Sequence, residues 1–318
     1  MEKYEYLISG ERFHQLADIT ILTRHQLFYI QQYRYFKVND IFIIDFDNIT
    51  EECIETISKY SKIFIFGDQL YTFLINVAPR LKNNFILISH NSDINLDDKY
   101  IPLIEKLDKL IKVYSQNVSL SSPYIHEKIE CLPIAIANSL WSHGNFEIFK
   151  KVLKENNVKS ELCFFGFNFE TNRKVRLDVF NKLQNKFPWK NPNETFENYI
   201  RLLSSYKYCI CPEGNGVDSH RFWECIYLGI VPIIKKNNWS TNFLGKVPMI
   251  VLENWEDLTQ EYLEKEYENF KEYFSTQTPS PESSSVQVPE SSVQVPDVAN
   301  YNYYVQLIKN DLIIYEKI

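Results

Sequence analysis

The segment Cys209–Ile234, CICPEGNGVDSHRFWECIYLGIVPII, decides the fold class. Its first residues end an apolar run, Lys207–Cys211, that predicts a buried strand. A loop with two glycines, Pro212–Val217, follows, and Asp218–Leu228 then has the apolar spacing of a helix. A second apolar run, Ile230–Ile234, predicts the next strand. A strand, loop, helix and strand in this order are typical of an α/β fold with a parallel sheet.

The same alternation of short apolar runs with helical segments extends along the chain. Because buried parallel strands read as continuous apolar runs, we predict an α/β fold throughout. The remaining predicted strands are Asp18–Leu22, Ile41–Ile44, Lys62–Phe66, Phe85–Ser89, Ile111–Tyr114, Leu132–Ile136, Glu161–Phe165 and Met249–Leu252. The other predicted helices include Glu51–Tyr60, Gln69–Leu81, Lys174–Phe187, Thr195–Tyr206, Trp255–Phe274 and Tyr301–Ile314.

The composition limits the class of partner. The chain has 318 residues, with 34 Lys and Arg against 41 Asp and Glu, so its formal net charge is 34 − 41 = −7. Nucleic acid is not expected as the main partner, because phosphate backbones need a basic protein surface. The sequence contains no signal-peptide pattern and no apolar stretch of ~18 residues, which predicts a soluble, cytoplasmic protein without a membrane span.

The six cysteines are scattered and form no C-x-x-C pair. This pattern favours free thiols in a reducing compartment. Cys209 and Cys211 fall in one predicted strand and share a face, but their Cα atoms would be ~6.5–7 Å apart, at the limit of disulfide geometry. We therefore expect both thiols to be free.

Changes in composition divide the chain into four parts. The polar segment Gly144–Lys159 separates an N-terminal domain, 1–145, from a C-terminal domain, 146–275. Residues 276–298 contain the near-repeat PESSSVQVPESSVQV, which is rich in Pro and Ser and predicts a disordered linker. The last part, 299–318, is predicted as a helix that can pack on either domain.

The loop and helix of the opening segment carry side chains suited to an anionic ligand. In an open α/β sheet, ligands bind beyond the carboxyl ends of the strands, where this loop falls. Gly214 and Gly216 would allow close approach of the backbone and a positive φ. Asp218 is suited to cap the helix, whose N-terminus attracts phosphate. Arg221 and Glu224 then share one face of that helix.

His220 and Glu224 are also one turn apart, but a metal site would need a third ligand. The loop is not a dinucleotide-binding fingerprint, because Ser219 stands where the third glycine would be.

The run PEGNGVDSHRFWECIYLGIVPII closely resembles the donor-binding segment of exostosin-type glycosyltransferases and their shorter bacterial and viral relatives. The segments FGFNFETNRKVR, Phe165–Arg176, and LPIAIANSLWSHGN, Leu132–Asn145, resemble two further segments of the same family in the same order. The resemblance covers roughly Phe85 to Leu252. It implies a GT-B fold, with two Rossmann-like domains and a cleft between them. It also implies inverting transfer from a nucleotide sugar, usually a UDP-sugar, to a glycan acceptor, with no metal and no other cofactor.

The resemblance also assigns roles to residues of the C-terminal domain. Arg221 would hold the diphosphate and Glu224 the ribose hydroxyls, with His220 and Asp218 beside them. One of Arg173 or Arg176 would be a second phosphate clamp, since guanidinium groups suit phosphate oxygens. The other expected donor-site residues are Asn172, Glu213, Gly214, Asn215 and Gly216.

An inverting transfer needs a base for the acceptor hydroxyl, and polar residues at the strand ends of the N-terminal domain are the candidates. Asp93 is the first choice, His90 the second and Asp68 the third. The expected acceptor-side residues are Asn91, Asn138 and Trp141. Trp141 could stack on a sugar ring or pack in the interior.

The sequence is compatible with two other functions. The run IIDFDN places Asp45 and Asp47 after a strand, as in metal-dependent GT-A glycosyltransferases that bind Mn²⁺ through two carboxylates. Alternatively, these two carboxylates cap the helix from Thr50. The second function is non-catalytic binding of a nucleotide sugar or glycan on the same fold.

Overall fold

The computed structural model describes residues 6–121, 126–155, 157–191, 194–275 and 295–316. These residues form two compact units. The N-terminal unit contains Tyr6–Gly144, Gly216–Asp218 and the chain from Asn300 onward; the C-terminal unit contains Asn145–Asn215 and Ser219–Ala299. None of the described helices is both long and apolar enough to cross a membrane.

The N-terminal unit is built on a parallel sheet of six strands. Its spatial order, β2-β1-β3-β4-β5-β6, reverses direction between β1 and β3. Such a reversal opens a crevice at the carboxyl ends of the strands in doubly wound folds. The strands are β1 (Ile19–Leu22), β2 (Asp40–Ile43), β3 (Lys62–Phe66), β4 (Phe85–His90), β5 (Leu110–Gln116) and β6 (Ile129–Leu132).

Helices lie between successive strands from β1 to β5, as crossover connections between parallel strands usually require. The central strands β3 and β4 are almost wholly buried, which explains their continuous Ile, Leu and Phe runs. The helices of this part are α1 (Gly10–Phe13), α2 (Arg24–Ile30), α3 (Glu51–Ile57), α4 (Leu70–Asn76) and α5 (Ile101–Glu105).

The C-terminal unit contains a second parallel sheet, of four strands in the order β10-β9-β8-β7. The strands are β7 (Glu161–Phe164), β8 (Tyr206–Ile210), β9 (Val231–Lys235) and β10 (Ile250–Leu252). The helices of this unit are α6 (Phe146–Glu155), α7 (Arg173–Leu183), α8 (Phe196–Leu203), α9 (His220–Tyr227) and α10 (Gln260–Ser275). The predicted α/β class is therefore confirmed in both halves of the chain.

A cluster of aromatic rings fixes the segment after β7. Phe165, Phe167 and Phe180 each have their ring centroid 5.0 Å from that of Trp189. Because Phe180 belongs to α7 and the other two phenylalanines lie in the segment just after β7, the cluster connects α7 to the carboxyl end of the strand. Edge-to-face contacts of this kind add stability beyond their buried area.

The last helix, α11 (Tyr301–Glu316), belongs to the N-terminal unit. Asp311 on this helix accepts a hydrogen bond from the hydroxyl of Tyr114 and pairs with Lys112 at 3.1 Å, both on β5. Tyr304 is buried and meets the ring of Phe13 edge-on. The terminal segment thus forms a helix that packs on β5 and α1 of the N-terminal unit.

Some predicted boundaries are wrong for local reasons. The strand predicted at Leu132–Ile136 instead spans Ile129–Leu132, because Pro133 lacks an N–H and Ala135 has a φ of 54°. The helix predicted from Trp255 begins at Gln260, where the Thr259 hydroxyl accepts from the Tyr262 N–H at 3.1 Å. Of the predicted linker, residues 276–294 lie outside the described residues.

Candidate functional site

Arg221 lies in the first turn of α9, next to the carboxyl end of β7. Its Nη1 donates to the carbonyl oxygen of Gly166, and its Nε donates to the hydroxyl of Tyr199 at 3.0 Å. The guanidinium carbon also lies 5.6 Å from the ring centre of Phe164 and 5.4 Å from that of Tyr199. These contacts fix the orientation of the guanidinium group while part of its surface stays exposed.

Glu224 lies one turn further along α9 and is buried. Its Oε2 accepts a hydrogen bond from the Tyr199 hydroxyl at 2.9 Å, so Tyr199 bridges Glu224 and Arg221. Burial raises the pKa of Glu224 to about 7, and the Arg221 charge and the Tyr199 hydrogen bond oppose that rise. Burial also raises the pKa of Tyr199, which keeps its hydroxyl protonated at neutral pH.

This raised pKa makes the stability of the chain depend on pH through Glu224. From the ordinary value of 4.5 up to about 7, the folded chain holds a proton that the unfolded chain releases, so stability falls as pH rises. We expect Glu224→Gln to lack this fall. The difference in unfolding free energy, variant minus wild type, should therefore increase by about 3 kcal/mol between about pH 5 and about pH 8. Urea unfolding of both proteins at the two pH values measures the gain, and a constant difference would contradict the prediction.

Arg176 brings a second guanidinium group to this place, from the first turn of α7. Its Nε donates to the carbonyl oxygen of Glu213 at 3.0 Å and its Nη1 to that of Asn168 at 2.6 Å. Burial, together with the nearby charge of Arg221, lowers the pKa of Arg176 to about 10. The side chain is therefore still charged at neutral pH, and the two guanidinium groups lie close enough to repel each other.

Neither of these arginines forms an ion pair with a carboxylate of the described residues. Within the described residues, neither Arg176 nor Arg221 has a carboxylate oxygen within 4.0 Å, whereas Arg173 pairs with Glu170 and Arg201 pairs with Glu155. Partly buried charges that lack a counter-ion are costly. Two adjacent cations in this condition predict that an anionic ligand completes the site.

The loop after β8 is anchored on both sides. Asn172 caps α7 through its Oδ1, and its Nδ2 donates to the carbonyl oxygen of Gly214 at 2.7 Å. On the other side, Asn237 Nδ2 donates to Glu213 Oε1 at 2.7 Å. Asn215, which follows the two anchored residues, is exposed. The loop therefore has a fixed backbone with one side chain in solvent.

The structure separates the two candidate phosphate clamps. Arg176 lies beside Arg221, as described above. Arg173 is exposed and pairs at 2.6 Å with Glu170, in the turn that precedes α7. His220 begins α9 and is partly exposed. Of the two alternatives, the geometry therefore favours Arg176.

Three expectations about the loop are wrong. Neither Gly214 nor Gly216 has a positive φ; a Cβ at Gly216 would instead lie 2.7 Å from Nδ2 of Asn117, so close packing explains the glycine. Asp218 does not cap α9, because the N-cap residue is Ser219. The Asp218 carboxylate accepts from the Ile134 N–H at 2.7 Å within the N-terminal unit.

The N-terminal unit contains a partly buried network of polar side chains beyond β4. The Glu11 N–H donates to Asn138 Oδ1 at 2.7 Å, and Asn138 Nδ2 donates to Asn91 Oδ1 at 3.0 Å. Asn91 Nδ2 then donates to Nε2 of His14 at 3.2 Å. Asn91 has a φ of 59°, a conformation that asparagine tolerates better than most residues. The predicted residues Asn91 and Asn138 are thus in direct contact.

His90 belongs to the same network. Its Nδ1 lies 3.1 Å from Asn91 Oδ1 and its Nε2 lies 3.0 Å from the carbonyl oxygen of Pro133. Burial lowers the pKa of His90 to about 4, although the oxygen acceptors of Pro133 and Asn91 beside the ring favour the protonated form and oppose this change. His90 is therefore neutral at physiological pH and almost inaccessible to solvent.

The other candidates of this unit lie nearer to solvent. Asp93 is exposed, and Asp68 accepts a hydrogen bond from the Ser92 hydroxyl. Trp141 is 51% exposed, which excludes the interior alternative, and its ring is nearly parallel to that of His143 at 6.4 Å. An exposed indole remains available to stack on a ligand.

Asp45 and Asp47 form a turn after the edge strand β2. The Asp47 N–H donates to Asp45 Oδ1 at 3.1 Å, and both side chains are exposed. The helix that follows is capped by the Thr50 side chain. Neither carboxylate belongs to a group of three metal-type ligands within the described part of the chain.

Sequence reasoning missed two polar residues of the C-terminal site. Tyr199 bridges Arg221 and Glu224 from α8, and Asn237 holds Glu213 from the loop after β9. Neither residue belongs to a recognisable sequence motif. Their place in the site depends on which helices and loops pack together.

No protein-family profile matches the chain. Among solved structures, it is similar to the spinosyn rhamnosyltransferase SpnG, with a TM-score of 0.42 and 9% identity over 81% of this chain and 94% of that chain. It is also similar to the spinosyn forosaminyltransferase SpnP, with a TM-score of 0.39 and 10% identity over 81% of this chain and 84% of that chain.

Proposed function

We propose that the chain is a glycosyltransferase of the GT-B class and the exostosin type. It would transfer a sugar from a nucleotide diphosphate donor, of the UDP-sugar class, to a hydroxyl of a glycan acceptor. One observation carries the proposal: Arg176 and Arg221 are adjacent, oriented by carbonyl oxygens, and without an ion-pair partner among the residues that the structure describes. Two fixed guanidinium groups suit the oxygens of a diphosphate.

The proposed reaction is a direct displacement that inverts the anomeric carbon. The acceptor oxygen forms a bond to that carbon as the bond to the diphosphate oxygen breaks. Arg176 and Arg221 stabilise the charge that develops on the departing diphosphate, as fixed cations do in other group transfers. Since two cations already face the leaving group, the proposal requires no metal.

The acceptor side is proposed for the N-terminal unit. Asp93 is the first candidate for the base, because its side chain is exposed three residues after the end of β4. His90 is the second candidate. Its imidazole is neutral and therefore has one ring nitrogen without a proton, but the side chain is buried. Trp141 is the candidate for stacking on the acceptor sugar.

Nucleotide binding tests the proposal directly. Calorimetric titration with UDP, GDP and CMP, in the presence of EDTA, should show binding of one nucleotide class without metal. Arg176→Ala should weaken that binding by about 10–100-fold, because each hydrogen bond to a charged group contributes ~1.5–3 kcal/mol. Arg173→Ala is the matched control, since Arg173 is on the same helix turn but pairs with Glu170.

Other outcomes assign the protein differently. Binding that requires Mn²⁺ and disappears in Asp45→Ala would overturn the proposal in favour of a GT-A mechanism. Metal-free binding without release of UDP from any UDP-sugar, tested with a panel of glycan acceptors, would favour a non-catalytic binding protein. Equal loss of binding in Arg173→Ala and Arg176→Ala would contradict the assigned phosphate clamp.

A further inference from the structure

Three of the six cysteines meet inside the C-terminal unit. Cys209 lies on β8, Cys211 follows the end of that strand, and Cys225 lies on α9. Their sulfur atoms all lie within 4.8 Å of one another, and the Sγ atoms of Cys211 and Cys225 are 4.0 Å apart. The proposed transfer reaction uses none of these thiols.

The fold brings these three side chains together. Side chains two residues apart in a strand point to the same face, which places Cys209 and Cys211 side by side. Helix α9 brings Cys225 to the same place. The backbone N–H of Ile230, which follows this helix, donates a hydrogen bond to the carbonyl oxygen of Cys225. All three residues are buried and all three are free thiols. The cluster is therefore shielded from water.

The spacing of the sulfur atoms fits a three-coordinate metal ion. A metal–thiolate bond of ~2.3 Å places three sulfur atoms at the corners of a triangle with sides of about 4.0 Å. Cys211 and Cys225 already have this separation, and the widest pair needs to close by less than 1 Å. Adjustments of this size are within the reach of cysteine rotamers.

The ligand set decides which ion fits. Within the described residues, the group contains three thiols and no His, Asp or Glu. Structural Zn²⁺ takes four ligands in a tetrahedron, so three thiolates in a dry interior leave it incomplete. Soft thiolates also select Cu(I), which accepts three sulfur ligands. Arg221, one turn before Cys225 on α9, supplies part of the positive charge that an anionic trithiolate centre needs.

We propose that Cys209, Cys211 and Cys225 form a trigonal, all-thiolate site for Cu(I). Binding breaks three S–H bonds, forms three Cu–S bonds and releases three protons to solvent, with no change in the oxidation state of copper. The bound ion would join the end of β8 to α9, the helix that carries Arg221 and Glu224. The three ligands are not among the residues proposed to bind the donor, although Arg221 on the same helix lies close enough to two of them to interact with their charge.

Competition for Cu(I) tests the site. The fully reduced protein is titrated anaerobically with Cu(I) against the chromophoric chelator bicinchoninate. We expect one tightly bound Cu(I) per chain and a rise in the thermal unfolding midpoint. Removal of a group that only contacts a metal ligand lowers metal affinity by roughly 10–100-fold, and Cys225→Ala should lower the affinity for Cu(I) by more than that. Cys211→Ala should have the same effect.

A matched control separates the cluster from other buried thiols. Cys163 is buried on β7, the neighbouring strand, and lies outside the group of three. Cys163→Ala should bind Cu(I) as wild type does. Circular dichroism establishes that each variant is folded before titration. The proposal is overturned if wild type binds no Cu(I), if folded Cys225→Ala binds it as tightly as wild type, or if Cys163→Ala loses binding equally.

Discussion

Arg221→Ala is expected to abolish measurable donor binding and to lower the transfer rate by roughly 10²–10³-fold, the range found when one fixed donor to a developing charge is removed. The substitution removes the cation that faces the leaving diphosphate and leaves Arg176 alone against it. It also removes the hydrogen bond to Tyr199, so the hydroxyl that bridges to Glu224 loses one partner. Binding and rate should therefore fall together.

Two further variants separate the charge of Arg221 from its geometry. Arg221→Lys keeps the charge but cannot contact Gly166 and Tyr199 at once, so it should recover only part of the binding. Arg201→Ala is the control, because Arg201 lies in the same unit but pairs with Glu155 and Glu197. Calorimetry and UDP release measure both effects, with unfolding curves as the check on folding. A folded Arg221→Ala protein with wild-type binding would refute the proposed donor site.

Gly10→Ala is expected to lower the unfolding free energy of the N-terminal unit by about 3 kcal/mol or more, from overpacking and from disrupted buried hydrogen bonds. A Cβ at this position would lie 1.8 Å from Oδ1 of Asn91 and 2.8 Å from Nδ1 of His90. It would also lie 2.9 Å from Oδ1 of Asn138. No small movement relieves three such contacts at once, because all three side chains are held by one another.

A second substitution tests this explanation. Asn91→Gly removes the nearest colliding atom and tolerates the positive φ of that position. The double variant should therefore lose less stability than the sum of the two single variants. Gly245→Ala is a control, since its Cβ would meet nothing within 4 Å and only its φ of 72° opposes the change. Urea unfolding measures all four proteins; additive losses would contradict a direct collision.

Much of the architecture follows from the sequence, because buried parallel strands produce continuous apolar runs. The strand Lys62–Phe66 is predicted with both ends correct. The boundaries fail where single residues override the pattern, as at Ala135, whose positive φ ends an apolar run early. The proximity of Arg221 and Glu224 can also be predicted from the sequence, because residues three apart on one helix lie on the same face.

The remaining features depend on packing between elements that are distant in the chain. Arg176 and Arg173 are equal candidates in the sequence, and only the turn of α7 decides which one reaches Arg221. The same holds for Cys225, whose sulfur atom lies beside those of Cys209 and Cys211 only because of where α9 packs in the unit. Asp218 looked like a helix cap because of its position, but the backbone N–H of Ile134 provides another partner for its carboxylate.

The position of α11 has a consequence for how the protein is made. This helix follows the whole C-terminal unit in the sequence, yet its Asp311 binds Lys112 and Tyr114 on β5. On the ribosome, β5 therefore emerges long before its partner helix, and its flank stays uncovered while the second unit is synthesised. The N-terminal unit reaches its final form only after the C-terminal unit has left the exit tunnel, so the first unit to appear is the last to be completed.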